Sequence, residues 1–298
     1  MHGIQVCVPD AVLLPAGIER VDPAGPNASP AGRVRYRAAE RSRDGDTYVY
    51  DIEVRDGAGE IVERWTGLRL RAVGKGDGRG PWAAALLGPY LERAVDDLLG
   101  ARVAVAVEPH GPDSSRNGAG RDGARHRADT ALAVGRAAGR RVAIRYRPDG
   151  RPEADGLPAI SASHGAGLTL GVVADATVAC DVEPVAARPA ADWAGLLGPH
   201  APLAGVIAAA TGETADTART RVWAAIECQR KAGLSVDAPL TMDAAGPGPW
   251  VVLSAGPAGS VGSLTSSGGL RVATLATTLR DAPAPVVFAI LVEGRSQA

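Results

Sequence analysis

Two short acidic motifs do most to limit the folds open to this chain: Asp181-Val182-Glu183 and, further along, Trp223, Glu227 and Lys231 spaced four apart. Side chains alternate along a strand, so in an extended 181–183 segment both carboxylates share one face and Val182 turns to the other. Residues four apart share a helix face, so Trp223, Glu227 and Lys231 form one stripe. Carboxylates held this close repel unless a positive charge stands between them, and a hard divalent cation is the usual answer. The expectation is a strand and a helix that meet around Mg2+, with Asp181, Glu183 and Glu227 as its ligands. Because Mg2+ completes its shell with water and phosphate oxygens, the set together with Lys231 suggests a phosphate-bearing substrate. Taken singly, each motif is an ordinary solvated face.

The 298 residues suffice for two domains, and 46% hydrophobic against 22% charged side chains is a globular balance. A formal net charge of −1 offers no global field for nucleic acid or an anionic membrane, so phosphate binding would be local. Cys7, Cys180 and Cys228 are odd in number and lie among apolar residues, which predicts reduced packing thiols in a cytoplasmic protein. No signal-peptide pattern is evident and no run approaches the ~18 apolar residues of a membrane span.

Residues 33–73 alternate as a three-stranded antiparallel meander, with turn signals at Arg43-Asp44-Gly45-Asp46 and Asp56-Gly57-Ala58-Gly59. The glycine-rich stretch 74–80 reads as a linker. Beyond it the pattern predicts a helix opened by Pro89 and ended at Gly100, a strand over 103–107, a loop over 108–124, a helix over 125–141 and a strand over 142–146. Strands at 168–173 and 176–183 read as a hairpin through Ala174-Asp175. Short helices at 190–197 and 202–211 follow, then strands at 250–254, 270–279 and 286–292, with a Gly/Ser loop at 256–269. Ser163 and His164 are adjacent on an extended segment and point to opposite faces, so they form no hydrolytic dyad with each other.

The order of motifs adds more. Asp149-Gly150-Arg151-Pro152, Ile160-Ser161-Ala162-Ser163-His164-Gly165, the D-x-E and the W-x-x-x-E-x-x-x-K follow one another over about residues 80–295 in an order that resembles the Sfp-type 4′-phosphopantetheinyl transferases. The wording SASHGAG, ACDVEPV and VWAAIECQRKAG is similar to the transferase at the end of enediyne-type iterative polyketide synthases. Residues 1–73 resemble the last part of the hotdog dehydratase that precedes it. The resemblance implies an α+β chain: a partial hotdog-like β segment at 1–73, a linker at 74–80, and a pseudo-twofold domain at 81–298 with two helix-plus-antiparallel-sheet halves at about 81–185 and 186–298.

It also implies a function: Mg2+-dependent transfer of 4′-phosphopantetheine from coenzyme A to a serine of an acyl carrier protein. Asp181, Glu227 and Lys231 would be catalytic, and Arg127, Arg151, Ser163, His164 and Lys231 would bind coenzyme A. One departure is Ile226, where the family has a lysine; losing that cation either reduces affinity or shifts its duty to Arg230 or Arg221. The alternative is a noncatalytic carrier-docking module or a degenerate transferase. Neither His2 nor Asp10 matches the dehydratase acid–base pair.

Overall fold

The computed structural model describes residues 11–23, 32, 34–75, 78–110, 119–246, 248–256 and 269–293. They fall into two compact units, Met1–Asp77 and Gly78–Ala298. The architecture is α+β, with antiparallel sheets and few helices.

The first unit is one antiparallel sheet of five strands: β1 (Ala11–Gly17), β2 (Arg20–Pro23), β3 (Arg35–Asp44), β4 (Thr47–Arg55) and β5 (Ile61–Lys75). The order is β1-β5-β4-β3, with β2 also paired to β5. The predicted meander is β3-β4-β5, and the sequence reading lacked β1 and β2, which line up along the 15-residue β5. Tyr48, Tyr50 and Ile52 on β4 and Leu68 and Leu70 on β5 are buried. The interspersed arginines pair with neighbouring acids, as in Arg41 with Asp51 and Glu19 and Arg64 with Glu53. The 74–80 linker begins later than predicted, since Gly74 and Lys75 still pair with Val12 and Ala11.

Gly67 interrupts the β4–β5 register with φ +63° and donates its N–H to Asp51 at 2.9 Å. A Cβ there would stand 2.2 Å from the Glu19 carboxyl carbon. Gly67→Ala is therefore expected to cost about 1–2 kcal/mol in a denaturation experiment, chiefly for the left-handed backbone. An unchanged unfolding curve would show that the position tolerates a side chain.

In the second unit, α1 (Gly88–Leu99) has Pro89 in its first turn and Gly100 in the left-handed conformation at its end, as predicted. β6 (Val103–Pro109) leads to α2 (Ala119–Ala137), which starts six residues earlier than the sequence pattern indicated. The part of the predicted loop at 111–118 lies outside the described residues. A two-strand ribbon, β7 (Ile144–Tyr146) and β8 (Pro152–Ala154), follows. β9 (Ala159–Gly165), β10 (Leu168–Ala174) and β11 (Val178–Pro184) come next.

Here the structure corrects the sequence reading. β10 forms its hairpin with β9, through Ala166 and Gly167 at φ 53° and 73°, and not with β11. Two successive residues with positive φ give the turn whose twist suits a two-residue hairpin loop. β10 is the centre of the sheet β6-β10-β9, while β11 is an edge of a separate five-stranded sheet.

The remaining elements are α3 (Ala190–Leu197), α4 (Ala201–Thr211), α5 (Ala215–Ala232), β12 (Leu240–Ala245), β13 (Trp250–Ala255), β14 (Leu270–Thr277) and β15 (Val286–Glu293). The sheet order is β11-β15-β14-β13-β12; β12 was missed by the sequence reading. Residues 257–268 of the predicted Gly/Ser loop lie outside the described residues. One face of this sheet joins the core of α1, β6 and β10, and the other packs α3, α4 and α5.

The run Ala190–Thr211 is long and apolar enough to cross a membrane by length and composition, contrary to the sequence expectation. It is broken by a tight turn at Gly198–His200, and Trp193, Leu197, Ala204 and Ile207 bury against the α5 side of the core.

Candidate functional site

The strand and helix named first in the sequence do meet. α5 is capped by Thr214, whose hydroxyl accepts the Thr217 N–H at 3.3 Å, and it closes on Gly233 at φ 87°. Asp216 in its first turn and Arg230 and Lys231 in its last complement the helix dipole. Arg221, 1% exposed, locks the helix to the sheet: it pairs with Glu213 at 3.0 Å and donates to the carbonyls of Thr274 and Pro249.

Trp223, Glu227 and Lys231 thereby lie along β11. Trp223 Nε1 donates to Glu183 at 3.2 Å. Lys231 Nζ donates to Asp181 Oδ1 at 2.7 Å and to the Cys180 carbonyl at 2.8 Å. From β9, Ser163 Oγ donates to the same Asp181 oxygen at 2.8 Å. Gly165 allows this approach, since a Cβ at that position would stand 2.0 Å from the Val182 carbonyl oxygen.

Asp181 is 3% exposed, and its Oδ2 has no hydrogen-bond partner. The Glu183 carboxyl is raised above its ordinary range by burial and by the neighbouring Asp181. Burial pulls the Lys231 ammonium down, but Asp181 beside it more than compensates and holds it above its usual range. Glu227 is paired with Arg230 at 2.6 Å.

The acids are thus met by protein groups: Lys231 and Ser163 for Asp181, Trp223 for Glu183, Arg230 for Glu227. Among the described residues, no group of three or more His, Cys, Asp or Glu is arranged to hold a metal ion. Of the features a cation would need, the structure carries one, the orphaned buried oxygen of Asp181.

Arg151 lies at the end of the same helix, close enough that a Cβ on Gly233 would be 3.3 Å from its guanidinium. It lines a cavity of about 910 Å3 together with Arg145, Arg147, Arg230 and Lys231. Asp149 and Glu153 are the acidic side chains of the wall, so the lining is basic on balance. The sequence reading missed Arg145 and Arg147 as a pair. The signal was there: Arg145 on β7 and Arg147 just past its end are two residues apart on one extended segment and so share a face, and Arg147 faces Arg151 across the β7–β8 turn through a backbone hydrogen bond of 2.9 Å.

Other predicted residues sit apart. His164 is on the opposite side of β9 from Ser163 and bonds to Thr130 and Thr169. Arg127 is exposed on α2. Of the two arginines proposed to replace a lysine at position 226, Arg221 is committed to the core and Arg230 to Glu227. Ile226 is 5% exposed and packs into the core, where an aliphatic side chain suits the site. Cys180 and Cys228 are buried free thiols, and burial pushes the Cys180 thiol up to about 11, out of reach of thiolate chemistry. His2, Cys7 and Asp10 lie outside the described residues.

Residues 1–80 match the family described as Polyketide synthase dehydratase N-terminal domain. No curated protein matches the chain. The family match accords with the hotdog-like reading of the first segment and with polyketide biosynthesis, but it is to the N-terminal domain of a dehydratase and so corrects the expectation that residues 1–73 are the last part of one. It corrects the functional expectation: it points to a dehydratase-type module of a polyketide synthase, and the assignment of the chain as a phosphopantetheinyl transferase is withdrawn. The alternative of a noncatalytic docking module or degenerate transferase is likewise not what this match points to.

Proposed function

We propose that the chain is a dehydratase-type module of polyketide biosynthesis that handles intermediates carried by an acyl carrier protein. The observation that carries this reading is the match of residues 1–80 to the dehydratase N-terminal domain. The five-stranded antiparallel sheet of the first unit supports it. Removing water from a 3-hydroxyacyl thioester takes a base for the α-proton and an acid for the departing hydroxyl. Residues 11–75 contain no histidine, so within the described part of that unit the candidates are carboxylic acids and phenols.

For the second unit, we propose that the basic cavity receives the phosphodiester of the carrier's prosthetic arm, coenzyme A being the free molecule of the same chemistry. Planar guanidinium groups at Arg145, Arg147 and Arg151 suit phosphate oxygens, for which they would exchange their present partners Asp155, Asp149 and Glu153, while Lys231 stays with Asp181. Mg2+ at Asp181, Glu183 and Glu227 is proposed only on the strength of the orphaned Asp181 oxygen, since it would have to displace Lys231, Arg230 and Trp223 from the carboxylates they now meet. Two buried thiols without disulfides fit a reducing compartment, and we place the module in the cytoplasm.

The test uses the full chain and a carrier protein loaded with a 3-hydroxyacyl group. Intact-mass spectrometry is expected to show loss of one water, with the ultraviolet absorbance of a conjugated thioester appearing in parallel. Carrier bearing the arm should bind more tightly than carrier without it, and Arg147→Ala should weaken that preference about tenfold. Retention of the hydroxyl together with equal binding of both carrier forms would overturn the reading.

A further inference from the structure

A chain of four side chains links α2 to the β9–β10 hairpin. Thr130 Oγ1 lies 3.0 Å from His164 Nε2, His164 Nδ1 lies 2.9 Å from Thr169 Oγ1, and the same hydroxyl lies 2.9 Å from His110 Nε2. Thr130 and Thr169 are 2% and 0% exposed, so water does not compete for these contacts. His126 on α2 stacks on the His164 ring at 4.5 Å and 15°, and the His110 ring lies 6.0 Å from the His164 ring at a tilt of 37°. Three imidazoles are thus gathered around one helix–hairpin contact. Gly171 lets the helix come this close, since a Cβ there would stand 2.8 Å from the Ala133 backbone.

We infer that this Thr130–His164–Thr169–His110 chain, with His126 stacked on it, is an acid-sensitive clasp that holds α2 on the β9–β10 hairpin and loosens as histidines take up protons. A neutral His164 has one N–H and one lone pair, and the two threonine hydroxyls can complement both. Charging His164 and His110 together leaves the Thr169 hydroxyl facing two N–H donors, so it can no longer donate to either ring. It also places cations on neighbouring rings with His126 beside them. The charged groups acting on His164 are His126 and Asp129 from α2, His110 after β6 and Lys231 from α5; Asp129 alone among them favours protonation. Arg125 acts further on His110.

The direction of the effect follows. Burial, then His126 and His110, push His164 from its usual 6.5 down to about 4; burial also lowers His110, with Asp129 opposing. A histidine depressed in the closed state contributes its full stabilisation above pH 6.5 and loses it as pH falls towards 4, because the open form binds the proton first.

Hydrogen exchange over residues 126–137 of the full chain, corrected for intrinsic rates, is expected to show opening on the order of tenfold more frequent at pH 5 than at pH 7.5. His164→Asn, which keeps a donor and an acceptor but does not titrate, should flatten that dependence. Should His164→Asn not fold, His126→Ala removes the exposed neighbour without touching the hydrogen bonds and should shrink the pH effect. In the unsubstituted protein the His164 ring should remain uncharged at pH 5 by histidine NMR. Protonation of His164 near pH 6.5, or protection of α2 that does not change with pH, would overturn the inference.

Discussion

Lys231→Met is expected to lower stability by about 3 kcal/mol, because it strands a charge that the fold has already buried. Asp181 is 3% exposed and one of its oxygens has no partner, so the other depends on Lys231 at 2.7 Å and Ser163 at 2.8 Å. Methionine keeps most of the aliphatic stem, so packing along α5 changes little and the loss is electrostatic. The double variant Lys231→Met with Asp181→Asn separates the two effects: removing the stranded charge should recover part of the loss, a coupling read from the four-protein cycle. Chemical denaturation of all four proteins is the measurement. A single variant as stable as the parent, or a double variant with strictly additive losses, would mean that the pair is not a unit.

Gly165→Ala is expected to cost about 2–3 kcal/mol and to disturb the acidic site from a distance. The added methyl would stand 2.0 Å from the Val182 carbonyl oxygen, and backbone cannot swing aside as a flexible side chain can. Relief requires β9 to move away from β11, which lengthens the Ser163–Asp181 bond. The same experiment with Gly195→Ala, a helical position with nothing within 4 Å of a new Cβ, should be neutral or mildly stabilising. Equal effects from the two substitutions would show that β9 and β11 are not closely apposed at Gly165.

Local features were legible wherever neighbours in sequence decide the outcome. Pro89 and Gly100 bracket α1 as their backbone preferences dictate, and the alternation of 47–55 and 61–75 yields β4 and β5. The β9–β11 region was misread for the opposite reason. Ala174-Asp175 looked like a turn, but which strand β10 joins is settled by pairing partners far along the chain, and β6 and β15 took the available edges. β1 and β2 were invisible because a strand carrying proline and little alternation is recognised only by the edge it lies against.

The spacing of Asp181, Glu183, Trp223, Glu227 and Lys231 alone determined which side chains share a face, since that follows from the periods of strand and helix. What each group touches was decided in three dimensions. Lys231 reaches the carboxylate Asp181, Ser163 arrives from a different sheet, and Arg145, Arg147 and Arg151 converge on a cavity at the end of α5. A backbone period sets direction, but partnership between charges separated by tens of residues depends on distances that only the folded chain fixes.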